Sequence, residues 1–160
     1  MFEIILQKDV QDFINLHLFS DVQQLALKKN PFPALDYKSV LNQIVSKGKS
    51  KEKLPTWFMT DGIIYPEKIS IEQTSSEKTA QHKATLVSGE RLIDLTGGFG
   101  IDDYYFSKEV KHVWHCEINE ELSDIAQHNA LKLGLANTTF VKGDSFDFLE
   151  KSTQNFDWIY

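Results

Sequence analysis

The segment of this 160-residue chain richest in chemistry is Asp94-Leu95-Thr96-Gly97-Gly98-Phe99-Gly100-Ile101-Asp102. Three glycines in four positions, directly after the apolar run RLIDL, let the backbone turn sharply and approach a ligand with no Cβ in the way. Glu117 closes a second apolar run, KHVWHCE, 17 residues after Gly100. A carboxylate at a strand end can accept hydrogen bonds from both hydroxyls of a ribose. The plainer alternative is a surface carboxylate. Asp144, in VKGDS, is placed to accept from an adenine amino group or to cap the following SFDFLEK helix, and the two roles are compatible. A glycine loop alone says little, because tight turns need glycine anyway. The succession of loop, acid and acid points to a nucleoside.

The surrounding residues separate two classes of nucleotide. A dinucleotide loop reads G-x-G-x-x-G, and its third glycine allows a helix to pack closely on the strand. Here Asp103 stands where that glycine belongs. Asp94 at the strand end and Asp102 just inside the helix also suit an anionic pyrophosphate badly. A cationic sulfonium and an α-amino group match them better, which favours S-adenosylmethionine over NAD.

These residues need a scaffold that brings three strand ends together. From residue 70 onward, helix and strand patterns alternate. Thr74-x-x-Glu77 is a capping box opening a helix through Ala80 and Ala84 to about Val87, with Gly89 beyond it. RLIDL, KHVWHCE, TTFVKG and FDWIY read as strands. IDDYYFSKE, an Asn119-capped EELSDIAQHNALKLG and SFDFLEK read as the helices between them. The fold class predicted is α/β: a Rossmann-like, doubly wound sheet of about four parallel strands, with its ligand at the carboxyl edge. Residues 1–56 read as a small helical domain. Asp9 caps a helix carrying Val10, Phe13, Ile14, Leu16 and Leu18; Ser20 with Gln23 opens a second, ended by Asn30-Pro31; Asp36 caps a third, ended by Gly48. Residues 57–69 read as a hairpin or linker, with Asp61-Gly62 as a type I′ turn and Trp57, Phe58 and Tyr65 as packing residues.

The strand–DLTGGFGID–helix segment, Glu117 and GDS resemble motifs I, II and III of class I S-adenosylmethionine-dependent methyltransferases, over about residues 70–160. The resemblance implies that the backbone around Thr96, Gly97, Gly98 and Gly100 cradles the methionine part, with Asp94 and Asp102 nearby. It implies that Glu117 holds the ribose, Ile118 packs on the adenine, and Asp144 with the Ser145 amide reads the adenine edge. Upstream, IEQTSSEKTAQHKA resembles the Glu-Gln…Ser/Thr segment of nucleic-acid-modifying members, in which Gln73 and Ser76 would reach the methionine carboxylate. The alternative is that Thr74, Ser75 and Ser76 merely cap a helix. The pairing of EQ-x-SSE-x-TA with DLTGGFG-x-D is similar to a bacterial group that has a helical N-terminal region and a C-terminal THUMP-like domain. That similarity implies RNA as substrate, by analogy. The family's acceptor motif, an Asp- or Asn-Pro pair, follows the fourth strand, and the sequence given ends at Tyr160. The expectation is therefore a truncated, cofactor-binding half with four of seven strands and FDWIY as an exposed apolar edge. No catalytic residue is assignable, and no transfer activity is expected from it alone.

Composition narrows the remaining classes. Hydrophobic residues at 41% suffice for a core, and no apolar run approaches the ~18 residues of a membrane helix. The N-terminus shows no secretory pattern, so a cytoplasmic protein is expected. Cys116 is alone, which excludes an internal disulfide and a thiolate zinc site; it reads as a buried strand residue, and no metal is expected. Residues 1–66 carry eight Lys against seven Asp+Glu, and residues 67–160 carry nine Lys+Arg against sixteen, for a net charge of −6. An acidic second half argues against a broad grip on phosphate there. The densest basic stretch, Lys47, Lys49, Lys51 and Lys53, is a weak candidate for RNA contact against a solvated loop. None of His17, His82, His112, His115 and His128 has a carboxylate at triad or metal spacing, so structural histidines are expected. Two other functions stay open: an NAD- or nucleotide-binding oxidoreductase, and a non-catalytic module that binds cofactor or RNA.

Overall fold

A computed structural model describes residues 2–160, with the backbone alone at 68–70. The chain forms two compact units, divided between Glu72 and Gln73.

The first unit is helical: α1 (Lys8–Leu16), α2 (Val22–Ala26), α3 (Tyr37–Lys53) and α4 (Pro55–Met59), with α5 (Lys68–Gln73) running to the boundary. Val10, Ile14, Leu25, Val40, Ile44, Leu54, Trp57 and Ile63–Tyr65 are buried in it. Several start and stop signals act differently from expectation. Gln7, not Asp9, is the N-cap of α1, and Asp9 lies in the first turn, where its charge complements the helix dipole. Asp21, not Ser20, caps α2, accepting from Gln23 N at 2.9 Å, while Ser20 pairs with His17 Nδ1 at 3.1 Å. Asn30 does not end α2, which closes at Ala26; its amide instead organises the next loop through Phe32 N and Leu35 O, at 2.8 and 2.9 Å. Asp36 caps α3 as expected. Gly48 does not end it. A Cβ there would stand 3.0 Å from Leu18 O, so glycine serves a close approach inside the helix, which runs on to Lys53.

The hairpin expected within 57–69 does not form. Pro55 occupies the first turn of α4, where its missing N–H costs nothing, and draws Trp57–Met59 into the helix. The backbone of Tyr65 finds a side chain in place of a partner strand. Gln43 Nε2 donates to Tyr65 O at 2.6 Å, and Tyr65 N donates to Gln43 Oε1 at 2.9 Å.

The second unit runs α6 (Glu77–Ala84), β1 (Gly89–Asp94), α7 (Ile101–Phe106), β2 (Val110–Glu117), α8 (Glu120–Lys132), β3 (Thr138–Lys142), α9 (Ser145–Lys151) and β4 (Trp158–Ile159). The sheet is wholly parallel, in the order β3-β2-β1-β4. Leu92, Ile93, Val113 and Cys116 are completely buried in its centre, alongside Ile101 and Phe106 of α7 and Ala126 of α8. This is the alternation of apolar strands and crossover helices read from the sequence. Cys116 is the buried strand residue expected, and burial pushes its thiol up to about 12. Ser76, not Thr74, caps α6, which ends at Ala84. β4 is shorter than FDWIY; just before it Asp157 N donates to Arg91 O at 2.8 Å, and its carboxylate accepts from Glu90 N and Arg91 N at 2.7 and 2.9 Å.

Candidate nucleoside-binding site

Parallel strands put the turns after β1, β2 and β3 along one edge, and hydrogen bonds knit those turns together. Gly97 N donates to Cys116 O at 2.8 Å, tying the glycine-rich loop to β2. Gly98 N donates to Glu117 Oε2 at 3.0 Å, and Asn119 N donates to Glu117 Oε1 at 2.7 Å. Glu117 is thus fixed between the loop and the start of α8. Gly100, at φ +79°, turns the chain into α7 in a conformation that side chains disfavour.

A cavity of about 230 Å³ opens at this edge, lined by Leu95, Thr96, Glu117, Ile118 and Gly143 through Phe146. Five residues singled out from the sequence meet there: Thr96, Glu117, Ile118, Asp144 and Ser145. Ile118 and Phe146 are 71% and 68% exposed, so two apolar side chains stand open beside two carboxylates. Phe146 went unnoticed in the sequence; its only signal was a bulky apolar residue in the first turn after GDS. Asp144 does cap α9, its Oδ1 accepting from Phe146 N at 2.8 Å and Asp147 N at 3.4 Å, while lining the cavity as well. That cap leaves the Ser145 amide out.

The other sequence candidates are not part of this lining. Gln73 ends α5 and is exposed. Ser76 Oγ accepts from Thr79 N at 3.1 Å in its capping role. Asp94 is buried behind the loop, its Oδ1 accepting from Thr96 N at 2.7 Å. Asp102 is met from within the protein: its Oδ2 accepts from Lys83 Nζ at 3.0 Å and Ser75 Oγ at 2.9 Å, so its charge is neutralised by a lysine.

A second pairing, besides that of Lys83 with Asp102, was not readable from the sequence. No histidine had a carboxylate at triad spacing, yet Asp103 Oδ2 lies 2.5 Å from His115 Nδ1, both residues buried. α7 and β2 bring them together, and spacing along one element could not reveal a contact between two. Burial, with Asp103 beside it, pushes the Asp94 carboxyl well above its ordinary range; burial likewise pushes Asp103 up. The same desolvation holds the His115 imidazole down to about 4.

The basic stretch is helical rather than a loop, since all four lysines lie on α3. Each ammonium has a partner in its own unit. Lys47 donates to Asn15 Oδ1 at 2.7 Å, Lys49 pairs with Glu72 at 3.4 Å, Lys51 sits 4.9 Å from the Phe19 ring centroid, and Lys53 donates to Ile71 O and Glu72 O. Among the described residues no helix is long and apolar enough to cross a membrane.

No family model matches the sequence, and no curated protein is significantly similar to it. Among solved structures, the chain is similar to a "putative methyltransferase" from Porphyromonas gingivalis W83, with a TM-score of 0.77 and 26% identity over 92% of this chain. The chain spans 37% of that protein's length. Partial matches extend to Trm5b from Pyrococcus abyssi (20% identity, 54% of this chain, 26% of that one, TM-score 0.46) and an rRNA methylase from Streptococcus thermophilus (16%, 54% and 54%, TM-score 0.45). At those scores neither bears on the argument. The four-stranded parallel sheet with its crossover helices is Rossmann-like, and it is the α/β fold of the first of these structures.

Proposed function

We propose that the protein is the S-adenosylmethionine-binding part of a methyltransferase and that residues 73–160 hold the cofactor. The observation that carries this is a cavity at the carboxyl edge of the sheet, where Thr96, Glu117, Ile118, Asp144 and Ser145 converge. The donor set fits an adenosyl group. Glu117 is half-buried at the end of β2 and offers a carboxylate to two ribose hydroxyls. Ile118 and Phe146 offer apolar faces to a planar base, and Asp144 with the free Ser145 amide offers an acceptor and a donor to its edge. The glycine-rich loop would carry the methionine part, with Gln73 and Ser76 toward its carboxylate.

When bound, the cofactor supplies an electrophilic methyl group; the chain's own work is to bind, orient and shield it. NAD fits less well. The place of the third glycine in a dinucleotide loop, the one that lets helix and strand pack closely, is taken by Asp103, which is committed to His115. RNA as acceptor and kinship with the THUMP-like group rest on the sequence resemblance, and a cytoplasmic setting on the N-terminal sequence pattern. The four lysines of α3, already paired, add little to the case for RNA.

Calorimetry with S-adenosylmethionine and with NAD tests the cofactor assignment. One S-adenosylmethionine per chain and no heat with NAD is the expected result; the reverse would overturn it. A mass-spectrometric comparison of modified nucleosides with and without the gene tests the acceptor, and an unchanged RNA profile would remove RNA.

A further inference from the structure

Gly97 is the glycine of the loop whose own backbone does not demand glycine. Gly98 and Gly100 have φ of +56° and +79°, whereas Gly97 is not among the residues with positive φ. A side chain at 97 is excluded by His115 instead. A Cβ there would stand 2.2 Å from the His115 Nδ1, 2.3 Å from Cε1 and 2.7 Å from Cγ, distances at which atoms overlap. The imidazole cannot swing away easily. It is fully buried, its Nδ1 is 2.5 Å from Asp103 Oδ2, and its ring lies tilted against Phe140, with centroids 4.8 Å apart. Gly97 N also bonds the carbonyl of Cys116, the residue after His115. The loop is thus held to β2 by a backbone bond and by a flat ring on which it rests.

We infer that His115, oriented by Asp103, is a positioning residue that fixes where the glycine-rich loop stands and, through the Gly98 N–H on Glu117, where the ribose-binding carboxylate points. This rests on the S-adenosylmethionine reading above and deepens it. Three elements converge on the pair: Asp94 from β1, Asp103 from α7 and Glu117 from the same strand as His115. The buried His115 Nε2 has no hydrogen-bond partner in the protein, so this polar pair is retained in the core although its hydrogen-bonding capacity is not filled. An apolar side chain of the same bulk would avoid that cost. What the pair adds is a planar surface locked in rotation, which a branched aliphatic group does not provide.

The test is a double-mutant cycle between Gly97→Ala and His115→Ala. It is read by calorimetry with S-adenosylmethionine and by amide exchange at Gly97 and Gly98 without ligand. Gly97→Ala and His115→Ala are each expected to weaken binding by at least about tenfold, and the double variant, in which the added Cβ no longer meets the ring, to lose no more than His115→Ala alone. Asp103→Asn, which keeps a partner for the ring and disturbs folding least, is expected to stay within roughly threefold of the native chain, while Asp103→Leu weakens binding like Gly97→Ala. Gly97→Ala binding normally, strictly additive effects in the cycle, or equal loss in both Asp103 variants would each overturn the positioning role. If the native chain takes up no S-adenosylmethionine, the cofactor assignment fails. The exchange arm then still decides whether His115 holds the loop: faster exchange at Gly97 and Gly98 in His115→Ala supports it, and unchanged exchange overturns it.

Discussion

Residues 2–72 and residues 73–160 both bury polar side chains, but of different kinds. In the first unit they are neutral: Gln43, Ser46 and Ser50. Gln43 brackets the backbone of Tyr65 from both sides, and Ser50 Oγ donates to Lys47 O at 2.7 Å. In the second unit ionisable groups join the neutral ones: Glu77, Asp94, Asp103 and His115. The last three sit behind the glycine-rich loop. A buried amide with two partners costs little and is indifferent to pH, whereas buried acids and imidazoles are costly and respond to protons and nearby charge. The contrast separates a unit stabilised by packing from one whose interior electrostatics face a candidate binding edge.

The largest effect expected sharpens the first half of that contrast. Trp57 is 1% exposed, and Trp57→Ala should cost about 3–5 kcal/mol of stability, read from urea unfolding by circular dichroism. A loss below about 1 kcal/mol would mean that packing is not what holds the helical unit.

Next comes Glu117→Ala. Removing an acceptor of two charge-assisted bonds should raise the Kd for S-adenosylmethionine roughly a hundredfold, about 3 kcal/mol, in a calorimetric titration. Unaltered affinity would break the link between the acidic edge and a ligand.

A pH series probes the buried ionisable groups. The His115 imidazole, ordinarily near 6.5, is lowered to about 4 in the folded chain, so between those values unfolding takes up a proton. Relative to His115→Gln, the native chain should therefore lose stability as pH falls through that window. Asp94 and Asp103, both raised, act in the opposite sense: their contribution is present at low pH and lost as pH rises through their folded values. A stability difference between native and His115→Gln proteins that stays flat from 6.5 to 4 would show that His115 does not titrate as a buried group.

The smallest effect belongs to the surface of the helical unit. Lys49 pairs with Glu72 at 3.4 Å, both half-exposed, and Lys49→Ala should shift stability by no more than about 0.5 kcal/mol. A larger shift in thermal unfolding would show that ion pairs matter there after all.

Much of the second unit was legible because its signals are periodic and redundant. Apolar runs, glycines at the turns and the Asn119 cap all agree on parallel strands with crossover helices, and those strands put Glu117 and Asp144 on one edge. The first unit was less legible because its signals compete. Ser20 and Asp21 both suit an N-cap, and the carboxylate takes it. Asp61-Gly62 suits a hairpin, but Pro55 claims the preceding residues for a helix and Gln43 satisfies Tyr65 from within α3. In the candidate site the residues on strand ends were readable. The Asp103–His115 and Lys83–Asp102 pairings were not, since each joins separate elements whose relative placement no local pattern encodes.

The carboxylate of Asp157 has a consequence for the order of assembly. β1, β2 and β3 pair between residues a few tens of positions apart, but Asp157 reaches Glu90 N across 67 positions, and β4 adds only two paired residues. Closing the longer loop costs more chain entropy and is rewarded by fewer contacts, so β4 should dock after the other three strands have formed. The same latch is acid-labile. Hydrogen bonds from Glu90 N and Arg91 N hold the Asp157 carboxyl below its ordinary value, so its grip is lost as pH falls through that lowered value, and the sheet should begin to fray at this margin.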